Sequence, residues 1–440
     1  MTPEQQRTID AIYGGDKIVI AAKGHGKAVC GQTAAQELLA AGELTRVLVL
    51  APLKVCQLTW GREYEVWNHL DKPGMALGSA NFRENIMRNE HYSIVVLNIE
   101  NWPWAVKTGL YALFDGVLID EVSKFKAAGS AGVRSMRKVR KHFKWVCGMT
   151  ASPVAETGID LYAQMLVVAG KDSPLGTNFD RFKQQYGIPL DFNEHKWGIR
   201  PGLEEALANA VKDYIYVADD AGYLASLPEL RDEVIEVEMP DDGWDAYRQM
   251  AEGAYIDRFD IEAANPAVVS SKLLQVTSGA VINTEDTSVH WVHWAKYEAL
   301  QAFLTGVEGS VLIQYQFVYQ KQELQATFPG IKFLGDDPER LEQEWNAGQL
   351  PLLGVHARSA SHGLNLQAGG HELVILTPIW SADMNEQLLG RIRRRGQRSK
   401  YVRRTTLVVP GTVDQIIMDR MLGKEIDESR LQAHLKEVTQ

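Results

Sequence analysis

A chain of 440 residues, 45% hydrophobic and 23% charged, has the composition of an ordinary globular protein and exceeds what one hydrophobic core usually supports. Its formal net charge of −10 argues against a generally basic, histone-like binder while leaving room for local basic grooves. Cys30, Cys56 and Cys147 are widely spaced, with no CxxC and no Cys/His cluster, which disfavours a zinc site or disulfide scaffold and fits a reducing compartment.

The chain opens MTPEQQRTID, without a basic-then-apolar leader, and no apolar run approaches the ~18 residues of a membrane span. A soluble cytoplasmic protein is expected. Short apolar runs then alternate with helix-length segments: KIVI (17–20), RVLVLAP (46–52), YSIVVLN (92–98), GVLID (116–120) and KWVCGMT (144–150). Continuous apolar strands of this kind suit a parallel sheet covered on both faces. A mixed middle section (about 155–290) carries the turn-like PDDG (240–243). The rhythm resumes with SVLIQYQ (310–316), IKFLG (331–335), LPLLGVHA (350–357), HELVILTP (371–378) and RTTLVVP (404–410). The expected fold class is α/β, with two parallel-sheet domains and no short-period repeat.

Three stretches carry chemistry. AAKGHGK (21–27) lies between a strand and a helix-like segment, QTAAQELLAA (32–41). A tight glycine turn there directs backbone N–H groups at phosphate oxygens, and the following helix adds its positive end. Lys27 would reach the β- and γ-phosphates. Alone, the same pattern also describes a surface turn with an ordinary lysine. GVLIDEVSKFK (116–126) places Asp120 and Glu121 at the carboxyl end of a strand, where open α/β folds bind ligands. Asp120 would hold Mg²⁺ through water and Glu121 would orient and deprotonate an attacking water; a solvated turn is the alternative. QLLGRIRRRGQ (387–397) puts Arg391 and Arg394 at i and i+3, which on a helix share one face and could clamp a γ-phosphate. A solvated basic helix reads the same way.

In order and spacing, these stretches together resemble the superfamily 2 helicase-like motors, and within them the Swi/Snf-type DNA translocases in their compact bacteriophage and prophage versions. The resemblance covers nearly the whole chain. Gln5 stands in the place of the family's adenine-reading glutamine, with Gln6 as a rival, and AAKGHGK resembles motif I, assigning Gly24, His25, Gly26, Lys27 and Ala28 to the nucleotide. VLVLAPLKVCQLTW (47–60) is similar to motif Ia, with Pro52 and Trp60 in place, and DEVSKFK to the Asp-Glu box with its "FK" signature. GMTASP (148–153) occupies the place of motif III, SASHGLNLQAGGHELVIL (359–376) of motif V, and Trp380 with Gln387, Arg391 and Arg394 of motif VI. GTVDQIIMDRMLGKEI (411–426) looks like the closing helix.

The resemblance implies two RecA-like domains (1–225 and 291–440) joined by a linker or helical protrusion (226–290), with ATP and Mg²⁺ bound between them. It implies a monomeric, ATP-dependent translocase on duplex DNA, without sequence preference. A nucleotide-switched clamp that hydrolyses poorly is the alternative, because Ala28 replaces the threonine whose hydroxyl ligates Mg²⁺. Thr150-Ala151-Ser152-Pro153 stands where Thr-Gly-Thr-Pro is usual, and Ser123 where Asp or His is frequent. Two basic runs, RSMRKVRKHFK (134–144) and RIRRRGQRSKYVRR (391–404), would follow a phosphate backbone. Expected nucleic-acid contacts are Arg137, Lys138 and Arg398 from these runs, and, by the resemblance, Pro52, Lys54, Thr150, Ser152, Ser359 and Asn365.

Overall fold

The computed structural model describes residues 1–22, 24–151, 158–190, 197–219, 221–335, 337–358 and 364–421. The chain divides into two compact units, Met1–Ala225 and Ser226–Gln440. Each is built around its own parallel sheet.

In the first unit the strands are β1 (Lys17–Ile20), β2 (Val47–Ala51), β3 (Gly74–Ala76), β4 (Ile94–Asn98), β5 (Gly116–Asp120), β6 (Trp145–Thr150) and β7 (Ile215–Val217). They lie in the order β3-β4-β2-β5-β6-β1-β7, all parallel. Alternate residues of one strand enter different cores. Leu48, Leu50, Val117 and Ile119 join a cluster on one face, whereas Val47, Val49, Ala51, Leu118 and Met149 join a cluster on the other. Double coverage is why these strands read as unbroken apolar runs rather than alternating ones.

The second unit contains β8 (Glu229–Glu236), β9 (Ser310–Tyr315), β10 (Lys332–Leu334), β11 (Leu352–His356), β12 (Gly370–Ile375) and β13 (Tyr401–Val408), in the order β8-β13-β12-β9-β11-β10 and again parallel. Residues 226–290 contribute β8 and two helices, Asp241–Gly253 and Pro266–Thr277, to this unit. PDDG is a helix start rather than a turn: Pro240 is the N-cap, and Asp241 and Asp242 meet the positive end of the helix. β8 escapes sequence reading because it is a largely exposed edge strand, ELRDEVIE, with no apolar run. It is tied to its neighbour by Arg404, which donates to both oxygens of Asp232 (2.6 and 3.0 Å).

The helix Val413–Met421 is anchored by a buried ion pair. Asp414 and Lys296 are 0% and 1% exposed and 2.6 Å apart, and Asp414 also accepts from Thr277 Oγ1 (2.8 Å) and Val409 N (3.2 Å). Burial pulls the Lys296 ammonium down and Asp414 opposes that shift. Such a pair costs desolvation to form, but removing one partner strands the other charge.

Candidate nucleotide site

The phosphate-loop candidate begins where β1 ends. Gly24 (φ 87) and Gly26 (φ 95) take left-handed conformations, and Gly26 caps the helix Lys27–Ala40. A side chain is excluded at both on space as well as φ: a Cβ on Gly26 would lie 2.7 Å from Gln5 Nε2, and one on Gly24 would collide with the Tyr223 hydroxyl. The turn places Lys27 at the first helical position, where its ammonium donates to the carbonyls of Ala21 (2.9 Å) and Ala22 (3.2 Å).

The first helix, Pro3–Tyr13, braces this turn. Gln5 closes a capping box with Thr2 and donates from Nε2 to the His25 carbonyl (2.9 Å). Thr8 Oγ1 donates to the Glu4 carbonyl (3.0 Å) and lies 2.9 Å from His25 Nε2, so that ring nitrogen acts as the donor to it. Gln5 therefore faces the loop, whereas Gln6 is exposed and donates to Asp10 (3.1 Å). Ala28 is 6% exposed and packs in the apolar cluster with Ile9, Ile12 and Val19.

Two strands away, β5 delivers the carboxylates. Asp120 is 7% exposed; burial pushes its carboxyl up to about 6, against the hydrogen bond from Trp60, whose indole N–H reaches Oδ2 at 2.8 Å. Glu121 sits in the left-handed region (φ 71, ψ 59), a backbone state that costs a non-glycine residue roughly 1–3 kcal/mol. That backbone turns Glu121 toward β6, where Thr150 Oγ1 (2.8 Å) and Ser123 Oγ both donate to Oε1. A carboxylate oriented by two hydroxyls is suited to hold a water in one direction.

Among the described residues no cluster of three or more His, Cys, Asp or Glu side chains could hold a metal. A cation beside this loop would rest on Asp120, phosphate oxygens and water. That donor set fits Mg²⁺, which keeps several waters and binds through one or two carboxylates. A loop whose glycines leave no room for Cβ, with an ammonium at its mouth, likewise fits phosphate.

In the second unit Gln387 and Arg391 are half-buried on the helix Ala382–Ile392. Arg394 is not on that helix, contrary to the spacing argument: Arg393 is the C-cap in a non-helical conformation and Gly396 (φ 88) continues the turn. Arg394 is instead held by the Asn365 side chain, so the stretches expected to be motifs V and VI meet directly. Asn365 is fixed in turn by Glu342, which accepts from its backbone N–H (2.7 Å), and by Asn346, which donates to its carbonyl (2.7 Å). Burial lowers the Arg391 guanidinium to about 10, and the neighbouring Arg394 adds to the shift.

The expected nucleic-acid residues divide. Lys54, Arg137, Lys138 and Arg398 are exposed, Pro52 is half-buried and Asn365 is exposed. Thr150 is 0% exposed with its hydroxyl on Glu121, so it has no surface to offer a phosphate and serves the carboxylate instead. Ser152 and Ser359 lie outside the described residues. The basic runs are also partly structural: Arg140 binds Asp16 and the Val168 carbonyl, Lys144 pairs with Asp115 (3.1 Å), and Arg403 makes a two-pronged contact with Glu372 (2.7 and 2.9 Å). Sequence reasoning found Trp60 but not its bond to Asp120, and it missed Ser123 and Thr8 as supports and Tyr223 as the ring packed on Gly24.

Residues 2–158, which contain the loop and both carboxylates, match the family model described as DEAD/DEAH box helicase. That match falls within the first unit, Met1–Ala225. Over those residues the first unit is similar to helicase-type ATPases. The whole chain is 29% identical over 438 residues to a protein called Putative protein p41 from Acyrthosiphon pisum secondary endosymbiont phage 1, covering 95% of this chain and 94% of that one. Among solved structures it is similar to the Hef helicase domain of Pyrococcus furiosus, with a TM-score of 0.54 and 13% identity over 94% of this chain and 96% of that one. That likeness shows the fold, two parallel-sheet α/β domains of the helicase type. Another match is the Sulfolobus solfataricus SWI2/SNF2 ATPase core in complex with dsDNA, at a TM-score of 0.46 and 16% identity, covering 96% of this chain and 90% of that one. No helix among the described residues is long and apolar enough to cross a membrane.

Proposed function

We propose that this helicase-like protein is an ATP-driven translocase on duplex DNA, of the Swi/Snf type, that contacts phosphates rather than bases. The observation that carries the reading is the pairing of Asp120 and Glu121 at the end of β5, with Glu121 aimed by Thr150 and Ser123. A pure binding clamp would not require a carboxylate fixed by two hydroxyls in a strained backbone.

In this reading ATP phosphates take the place of the Ala21 and Ala22 carbonyls on the Lys27 ammonium, while the loop N–H groups point at phosphate oxygens. Gln5, held beside the loop by its bond to the His25 carbonyl, would read the adenine. Asp120 and water would hold Mg²⁺, which when bound would supply positive charge against the phosphates. Glu121 orients and deprotonates the attacking water. Arg391 and Arg394 of the second unit stabilise charge developing on the γ-phosphate, and release of Arg394 from Asn365 accompanies that step. Ala28 offers no hydroxyl to the cation, so water would have to take that place and affinity for Mg²⁺ would fall while hydrolysis would persist.

DNA recognition rests on exposed Arg137 and Lys138 with Lys54 and Arg398, supported by the motif resemblance and by the basic runs to which three of them belong. The test is displacement of a third strand from a duplex. ATP should drive displacement; Arg137→Glu with Lys138→Glu should weaken binding to all duplex sequences alike and flatten its salt dependence. Displacement without ATP consumption, or loss confined to one sequence, contradicts the reading.

A further inference from the structure

Trp60 ends a five-residue π-helical turn, Cys56–Trp60. Its start is pinned to β2 by Cys56, whose N–H donates to the Pro52 carbonyl (2.9 Å) and whose thiol donates to the Ala51 carbonyl (3.3 Å). Its end is closed by Gly61 N–H on the Cys56 carbonyl (3.0 Å), a bond spanning five residues. One extra residue in a turn rotates the side chains beyond it by about 100° relative to an α-helix. At the end of this turn Trp60 points inward and is 0% exposed, while Gln57 remains exposed.

Packing alone does not explain where its N–H goes. The buried indoles of Trp145 and Trp345 satisfy theirs on backbone carbonyls, Ile12 (3.0 Å) and Leu366 (2.8 Å). Trp60 donates instead to the carboxylate of Asp120. A charge-assisted bond from a ring with no rotamer freedom in the core fixes the plane of that carboxylate.

We propose that Trp60 is the positioning residue for Asp120: its indole N–H holds Oδ2 so that the other oxygen keeps one direction toward the cation of the nucleotide complex. This rests on the nucleotide reading above. Donors that orient a metal-holding carboxylate typically change metal affinity by about 10–100-fold when removed. The π-turn is then the local device that lets motif Ia reach the Asp-Glu strand. It would also keep Asp120 oriented between cycles, when no cation is there to hold it.

The test is Trp60→Phe, which retains a buried ring and removes the donor. Binding of a fluorescent, non-hydrolysable ATP analogue is measured in EDTA and across a Mg²⁺ titration, alongside turnover. The expected result is unchanged affinity in EDTA, a Mg²⁺ half-saturation raised about 10–100-fold, and turnover that recovers at high Mg²⁺. In an Asp120→Asn background the same substitution should leave the Mg²⁺ requirement unmoved. A merely structural indole would weaken binding equally with and without Mg²⁺, and that result overturns the proposal, as does an unchanged Mg²⁺ requirement.

Should Trp60→Phe fail to fold, the ¹⁵N indole spectrum of the intact protein decides. The indole resonance displaced by Asp120→Asn should shift with nucleotide plus Mg²⁺ and stay in place with nucleotide plus EDTA; no Mg²⁺-dependent shift overturns the proposal. Failure of the wider reading looks different. A wild-type protein that binds no analogue under either condition sinks both, whereas Mg²⁺-dependent binding that ignores Trp60 sinks this inference alone.

Discussion

Asp120→Asn should stabilise the nucleotide-free protein while abolishing its turnover. The Asp120 carboxyl is raised from its ordinary 3.8 to about 6, chiefly by burial, so the folded state holds the proton more tightly than the unfolded chain does. The stability contributed by this group is therefore fully present below pH 3.8 and is lost as pH rises through about 6. At pH 7.5 the folded protein carries a buried charge at a net cost of about 3 kcal/mol, with the opposing pull of Lys27 and the Trp60 bond already included. Asparagine is neutral at every pH, and its amide oxygen still accepts from Trp60. For a unit of this size about 1–3 kcal/mol corresponds to a rise in Tm of several degrees. Thermal unfolding in EDTA, run at pH 7.5 and at pH 4.5, measures it. The variant should melt higher at pH 7.5, and the gap should narrow to a fraction of that at pH 4.5. Equal melting at pH 7.5, or a variant that melts lower, would refute the claim that Asp120 is held as a costly buried charge for function.

Asp414→Ala leaves Lys296 buried without its partner and should destabilise the second unit by about 3–5 kcal/mol, whereas replacing both with apolar residues recovers much of the loss; chemical denaturation of the three proteins checks this. Arg394→Ala should lower turnover more than it weakens nucleotide binding, and equal losses in both would assign the side chain to ground-state binding. Ala28→Thr should raise turnover or lower the Mg²⁺ requirement, read from ATPase rates across a Mg²⁺ titration; no change in either means that the loop does not hold the metal.

Burial decides which elements are legible in the sequence. Strands covered on both faces, such as VLVLA and IVVLN, stand out as unbroken apolar runs, and they recur in β2 and β4. β8 does not, because an exposed edge strand needs no apolar pattern. The loop glycines and the Asp-Glu pair are visible because their chemistry is local. Relations set by three-dimensional geometry are not. A π-turn changes where Trp60 points without any residue to announce it. Arg394 leaves its helix because the C-cap falls at Arg393. Thr150 turns from the surface to Glu121 because the left-handed backbone at Glu121 brings the carboxylate to it. Charge runs are equally ambiguous: Arg137 is exposed while Arg140, three residues later, ties Asp16, just before β1, to the end of the helix Asp160–Val168.

Steady-state ATP hydrolysis with duplex DNA, single-stranded DNA and RNA, each compared with Glu121→Gln, tests the central claim most directly. A motor on duplex DNA should hydrolyse ATP faster with duplex than with either single strand, and Glu121→Gln should lose turnover by orders of magnitude while still binding ATP. Hydrolysis indifferent to nucleic acid, or a Glu121→Gln protein that turns over at the parental rate, would contradict it.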